Sequence, residues 1–429
     1  MKKFLFILIT TGVYSNLVSA QTTRSQVLVM DASKKDSFYS EKLARIDKLI
    51  QGYIDSNWIA GAIGLVAQNG TIFYYKSLGY DDKEKGKLLQ KDAIFRIASQ
   101  TKAITAVAVM MLCEEGKFSL DDPISKYIPE FKNPKVLNTF NLTDTSFTTV
   151  PAKREITIRD LLTHTSGIGY AQIGSDTMNA IYYKAGISAL GLRNRKPADD
   201  IKKLATLPLF YQPGETWEYG MNFDVLGYLV EITSGMSLDD FFRKRIFKPL
   251  GMRDTYFNLP KEKQPRLMML YTEDSLRHLV KMKEHIQMNG DFYRDYPNVK
   301  KSIFFGGSGL VSTAYDYAIF LQMLLNNGEY NGKRLLKPET IHMMTENQIG
   351  NLTDERSCKW GLGFELISAV NQQKLIFPAG SFLWGGMFGS FYWVDPKDGV
   401  VAQFVLQQYP NSHNDIKRKF TTSVYQILQ

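Results

Sequence analysis

Apolar positions along the chain follow two periods, and the places where each occurs outline a fold. Leu43, Ile46, Ile50 and Ile54 recur at the three-to-four spacing of a helix with one buried face. Next, the apolar runs Ala62 to Ala67 and Thr71 to Lys76 flank Asn69-Gly70, a dipeptide that accepts the positive φ angles of a type I′ turn, so an antiparallel hairpin is predicted. Phe95-Arg96-Ile97-Ala98 leads to Ser99, after which Ile104, Val107, Ala108, Met111 and Leu112 share a helical face that Gly116 closes. Towards the other end, Gly389 to Val394 and Val400 to Leu406 read as strands joined across Asp395-Pro396-Lys397-Asp398-Gly399. An amphipathic helix from about Asp415 to Leu428 follows.

Strand pairs and a helix therefore stand at both ends of the chain, with a long, mainly helical stretch between. The fold class this implies is α/β: an antiparallel sheet flanked by the N- and C-terminal helices, from about 37–98 and 303–429, plus an inserted all-helical lobe over about 99–302, with a cleft between them. Phe131 to Glu155 and Lys261 to Lys301 read as long loops, and Gln21 to Asp36 as a flexible lead-in. Before that, Lys2-Lys3, the apolar run from Phe4 to Val18 and the ending Val18-Ser19-Ala20 have the form of a cleavable export signal over residues 1–20, which places the product in a periplasm or outside the cell. No later stretch is apolar for the length a membrane span needs.

Composition removes several function classes. The formal net charge of the 429 residues is +9, but the basic residues are scattered, with mild clusters only at Lys300-Lys301 and Lys417-Arg418-Lys419, and no nucleic-acid motif accompanies them. No nucleic-acid partner is expected. Two cysteines, Cys113 and Cys358, cannot form a disulfide framework in a chain this long, and free thiols are favoured over a single pairing. The five histidines show no His-x-x-x-His spacing, so neither a metal nor a cofactor is expected.

The chemistry sits in three places. Ser99-Gln100-Thr101-Lys102 opens a buried helix, and the three-residue offset puts the Lys102 amine on the same helical face as the Ser99 hydroxyl. A serine hydroxyl is a weak nucleophile at neutral pH, and an adjacent amine can take its proton, while the N–H groups of the helix start can hold developing negative charge. Second, Pro213-Gly214-Glu215-Thr216-Trp217-Glu218-Tyr219 presents a phenol at a turn before a helix. Tyr219 is then either a packed aromatic or a proton acceptor for Ser99. Third, Trp384-Gly385-Gly386-Met387 leads into the strand from Gly389; its glycines make a bulge or let a ligand approach the backbone, in which case the Met387 N–H would join the Ser99 N–H in an oxyanion hole. His164 is a candidate for a Ser-His-Asp arrangement, but it closes a predicted helix, where a capping and packing role is favoured, and no Gly-x-Ser-x-Gly elbow occurs.

In this order, Ser-x-x-Lys, then Pro-Gly-x-x-Trp-x-Tyr, then Trp-Gly-Gly before a Val-Asp-Pro hairpin, the chain resembles the serine β-lactamase-like, penicillin-binding-protein-like superfamily over nearly its whole length past the signal. Within it, the carboxylesterases and transacylases related to class C β-lactamases are most similar. The phrases Leu161-Leu162-Thr163-His164-Thr165-Ser166-Gly167 and Phe247-Lys248-Pro249-Leu250-Gly251-Met252 carry the same resemblance. It implies a β-lactamase/transpeptidase-like fold in which Ser99 is the acylated nucleophile, Lys102 its proton shuttle and Tyr219 a general base. Trp384, Gly385, Gly386 and Met387 would bind substrate and oxyanion.

Two departures stand out. Gly220 follows the tyrosine where many relatives have Ser or Ala, and the asparagine of relatives is shifted one place, to Asn222, as a substrate-binding candidate. Trp384 stands where β-lactamases and DD-peptidases carry Lys or His. An indole cannot hold a substrate carboxylate as a cation does, so a small-molecule ester or amide without that carboxylate is expected, ahead of DD-peptidase, D-amino-acid peptidase or β-lactamase substrates. A non-catalytic cell-wall or ligand-binding relative would lack Ser, Lys or Tyr; all three are present. Oligomeric state is not legible.

Overall fold

The computed structural model describes residues 26–31, 37–171, 173–187, 197–287, 291–300, 304–372 and 375–428. The export-signal segment lies outside the described residues. In chain order the elements that frame the molecule are β1 (Val29–Met30), α1 (Ser37–Asp55), β2 (Gly61–Gln68), β3 (Thr71–Asp82), α2 (Thr101–Glu114), α3 (Asn222–Ser234), α4 (Ala314–Leu325), β4 (Lys359–Trp360), β5 (Glu365–Leu366), β6 (Phe382–Gly385), β7 (Phe391–Asp395), β8 (Val400–Val405) and α5 (Ile416–Leu428).

One sheet joins the two ends of the chain in the order β1-β3-β2-β8-β7-β6-β5-β4, with Lys87–Leu88 added to β3. All neighbours are antiparallel except β1 and β3. Strand alternation sorts its side chains into two cores. Ala62, Val66, Trp393, Ala402 and Phe404 face α1 and α5, whereas Ile63, Leu65, Tyr392, Val401 and Val405 face α4 and the helices of the middle segment. The predicted type I′ turn is present, with Asn69 at φ 49° and Gly70 at φ 77° and Gln68 paired with Thr71. The result is a mixed α/β fold in which the central strands are buried on both faces.

The middle segment carries most of the α-helices but is not all-helical, because both stretches read as loops contain hairpins. Lys135–Phe140 pairs with Phe147–Pro151, and Tyr271–Glu273 pairs with Leu279–Lys281, followed by His285–Gln287 with Asp291–Tyr293. Polar turn residues mask these strands in sequence. Asn141 and Asp144 close the first turn by accepting the N–H groups of Thr143 and Ser146, both at 2.9 Å, and Asp274 accepts those of Leu276 (2.9 Å) and His278 (2.8 Å). The lead-in is likewise not all free chain. Val29 pairs with Thr71, and Leu28 is buried with its N–H on the Tyr330 hydroxyl at 3.1 Å. Cys113 and Cys358 are free thiols, both pushed up by burial, Cys358 to about 11. Among the described residues no helix is long and apolar enough to cross a membrane.

Candidate active site

Ser99 sits in a single tight turn, Ala98–Gln100, that runs directly into α2. Ala98, just before it, has φ 44°, a left-handed conformation that costs a residue with a side chain on the order of 1–3 kcal/mol. Neighbours hold the turn in place: the Ile97 N–H donates to the Leu310 carbonyl (3.2 Å) and the Tyr317 hydroxyl to the Gln100 carbonyl (2.8 Å). The Gln403 amide of β8 donates to Gln100 Oε1 at 3.0 Å, which ties the Ser99 turn to the central strand.

Lys102 is buried, one helical turn on from Ser99, and its Nζ donates to Ser99 Oγ at 3.3 Å and to the Gly307 carbonyl at 2.8 Å. The Tyr219 hydroxyl lies 2.7 Å from Ser99 Oγ. The ammonium of Lys102 also stands over the Tyr219 ring, 4.7 Å from its centroid, so the three groups form one contiguous polar cluster. Behind them lie two residues the sequence did not single out. Tyr170 stacks on Tyr219 at 5.5 Å and 5°, and burial, helped by the charges of Tyr219 and Asp224, raises its phenol well above the ordinary value. The Asp224 carboxylate, held up at about 6 by burial against the pull of Lys102, accepts the Gly307 N–H at 3.0 Å. Gly307 is thus fixed from both sides, its N–H on Asp224 and its C=O on Lys102. Asp224 was signalled only by its place two residues past Asn222 on α3, and Tyr170 only by closeness to the His164 phrase.

The end of β6 supplies the facing wall. A cavity of about 440 Å³ is lined by Ser99, Tyr219, Trp384, Gly385 and Met387, with Arg356 at its side. Trp384 packs at 5.5 Å from the Tyr219 ring and 4.9 Å from Trp360, and among the described residues its indole N–H has no hydrogen-bond partner. Gly386 lies behind this wall. A Cβ there would sit 2.5 Å from the Ile97 carbonyl oxygen, so only glycine lets the strand end close against the Ser99 turn. The Arg356 guanidinium stands 5.6 Å from the Trp384 centroid and is ion-paired with the buried Glu365. No sequence motif pointed to it.

The remaining two expectations fall behind the cleft. Asn222 is fully buried and does not line the cavity; its amide nitrogen contacts His164 Nδ1 at 2.8 Å and its amide oxygen accepts the Ser166 hydroxyl. The one-residue shift turns it inward on α3, which corrects its assignment to substrate. His164 is also fully buried, as the packing reading required. Its Nδ1 accepts the Gly220 N–H at 3.3 Å, and the rings of Trp217, Tyr219, Phe223 and Trp360 surround it. Burial, with the nearby Lys102 charge, lowers its pKa well below the usual value. Gly220 is explained by the same crowding: a Cβ would meet the Ile168 carbonyl oxygen at 1.8 Å.

With a Ser-Lys-Tyr cluster on a cavity at the edge of an α/β sheet, comparison with known proteins is decisive. The beta-lactamase family model matches residues 46–425. The chain belongs to the beta-lactamase family. An uncharacterized protein of Mycobacterium tuberculosis is 33% identical over 380 residues, covering 84% of this chain and 89% of its own. Esterase EstB of Burkholderia gladioli is 31% identical over 374 residues, covering 83% of this chain and 88% of its own. Among solved structures, EstCE1, described as a hydrolase with promiscuous acyltransferase activity, superposes with a TM-score of 0.77 at 23% identity over 91% of this chain and all of its own, a likeness of fold. Within the beta-lactamase family this chain is therefore a serine hydrolase whose relatives include esterases.

Proposed function

We propose that this protein is an exported carboxylesterase-type acyl hydrolase that forms an ester intermediate at Ser99. The observation that carries the reading is the cluster at the cavity wall, with Ser99 Oγ 3.3 Å from the Lys102 ammonium and 2.7 Å from the Tyr219 hydroxyl. Tyr219, in its phenolate form beside the Lys102 ammonium, takes the Ser99 proton as Oγ attacks the acyl carbon and then gives it to the departing alkoxide. The N–H groups of Ser99 and Met387 hold the oxyanion, and Tyr219 then draws a proton from the water that releases the acid. Asp224 and the Gly307 carbonyl keep Lys102 aimed at Ser99. Similarity to esterase EstB supports the ester as substrate.

Trp384 supports the same choice. It fills with an indole the position from which a cation would hold a substrate carboxylate, and the nearby guanidinium of Arg356 is already answered by Glu365. The residue 1–20 segment supports export. The test is steady-state turnover of p-nitrophenyl butyrate, a penicillin and a cephalosporin by wild type and Ser99→Ala. Ester turnover that Ser99→Ala abolishes, with slow or absent β-lactam turnover, is expected. Efficient β-lactam turnover would remove the Trp384 argument, and full activity in Ser99→Ala would remove the nucleophile.

A further inference from the structure

A second cavity, of about 450 Å³, lies on the face of the sheet that α5 covers. That volume falls within the roughly 300–1,000 Å³ of small-molecule sites. Its floor is apolar, made by Leu383 of β6, Phe391 of β7 and the neighbouring Leu375 and Phe377, while α5 contributes Lys417 and Arg418. Arg356, Trp384 and Gly385 line both this cavity and the Ser99 cavity, so the two share a wall.

The charges around it are one-sided. Arg356 is ion-paired with Glu365, and Asp415, the acid at the start of α5, is engaged by Lys419 at 2.8 Å. Among the described residues no carboxylate pairs with Lys417 or Arg418. The hydroxyls of Thr421 and Thr422, also on the lining, donate to carbonyls of their own helix at 3.0 and 2.8 Å and supply no anion. Burial, together with the charge of Arg356, pushes the Lys417 ammonium down to about 8. An apolar floor ending in two unanswered cations complements a molecule with an aliphatic body and a single anionic head.

We propose that this cavity is a second ligand site, separate from the catalytic cleft, that binds a medium-chain aliphatic carboxylate with its chain on Leu383, Phe391 and Phe377 and its head at Lys417 and Arg418. Such a molecule is what hydrolysis of an aliphatic ester releases, and in that respect the inference rests on the esterase reading. Binding itself does not depend on turnover.

The test is calorimetric titration of the full chain, blocked at Ser99 by a fluorophosphonate, with decanoate, decanol and decyltrimethylammonium. Lys417→Glu and the milder Arg418→Ala are titrated alongside, and p-nitrophenyl butyrate turnover of each unblocked protein serves as the folding control. Decanoate is expected to bind the blocked protein at least tenfold more tightly than decanol, with no binding of the cationic amphiphile. Lys417→Glu should lose tenfold or more in decanoate affinity and Arg418→Ala severalfold, with ester turnover unchanged. Decanoate affinity equal in all three proteins, loss of binding on blocking Ser99, or no binding at all would overturn the proposal. If the chain binds decanoate but no ester turns over, the esterase reading fails while this site stands.

Discussion

Two polar clusters flank Tyr219, and they are built from similar parts. One joins Ser99, Lys102 and the Tyr219 hydroxyl; the other joins Ser166, Asn222 and His164, whose ring lies 4.8 Å from that of Tyr219. Each holds a hydroxyl, a nitrogen base and a hydrogen-bonding partner. The difference is access. Ser99 lines a cavity, whereas Ser166, Asn222 and His164 are all fully buried. A serine and a base in hydrogen-bonding company do not make an active site unless a reacting atom can reach the hydroxyl. The sealed cluster instead holds the Tyr219 turn in position, through the bond from the Gly220 N–H to His164.

Substitutions that separate the two clusters are ranked by their expected effect on turnover. Lys102→Ala and Tyr219→Phe each remove a proton-handling group and should lower kcat by about 10²–10⁴-fold, as single-turnover and steady-state kinetics with p-nitrophenyl butyrate would show. Asp224→Asn removes the buried charge that faces Lys102 and should lower kcat/KM roughly tenfold. Because burial sets Asp224 near 6, wild-type kcat/KM should fall as pH drops through 6 and the carboxylate is neutralised, a limb absent in the variant. Glu218 titrates nearby, raised to about 7 by burial and by Glu355, so Glu218→Gln is the control that must keep the limb.

Trp384→Lys tests the substrate wall, and should raise the acylation rate by a carboxylate-bearing penicillin by roughly tenfold while lowering ester turnover less. His164→Gln should change turnover per folded molecule only severalfold, yet lower stability by about 1–3 kcal/mol, because partners packed around a buried ring are left unsatisfied. The sign of its pH dependence follows from its lowered pKa. Below about 6.5 the unfolded imidazole takes up a proton that the folded one refuses, so its contribution is present above that pH and is lost as pH falls. Thermal unfolding of wild type should therefore weaken below pH 6.5 more steeply than that of His164→Gln.

Sequence pattern revealed what depends on short-range geometry. The offset from Ser99 to Lys102 is one helical turn, and the strand alternation at both chain ends was readable because each side chain's face follows from its position. What it hid depends on distant segments meeting. Arg356 reaches the cleft's surroundings only after the chain folds, and nothing local marks it; Asp224 is marked only by its place two residues past Asn222, and its pairing with Gly307 depends on a distant segment. Asn222 shows the opposite error: a match of residue type one place out of register falls on another face of a helix, and there burial in the core replaced contact with substrate. The hairpin at 135–151 was missed because its Asn and Asp turn residues outweighed the β-branched run Thr148-Thr149-Val150.

The central claim is that acyl groups pass through Ser99 and no other residue. Rapid acid quenching of the enzyme with p-nitrophenyl butyrate, followed by intact-mass measurement and peptide mapping, tests it directly. One butyryl group on the peptide containing Ser99, absent in Ser99→Ala, is the predicted result. A butyryl group on another residue, or turnover that persists in Ser99→Ala, would contradict it.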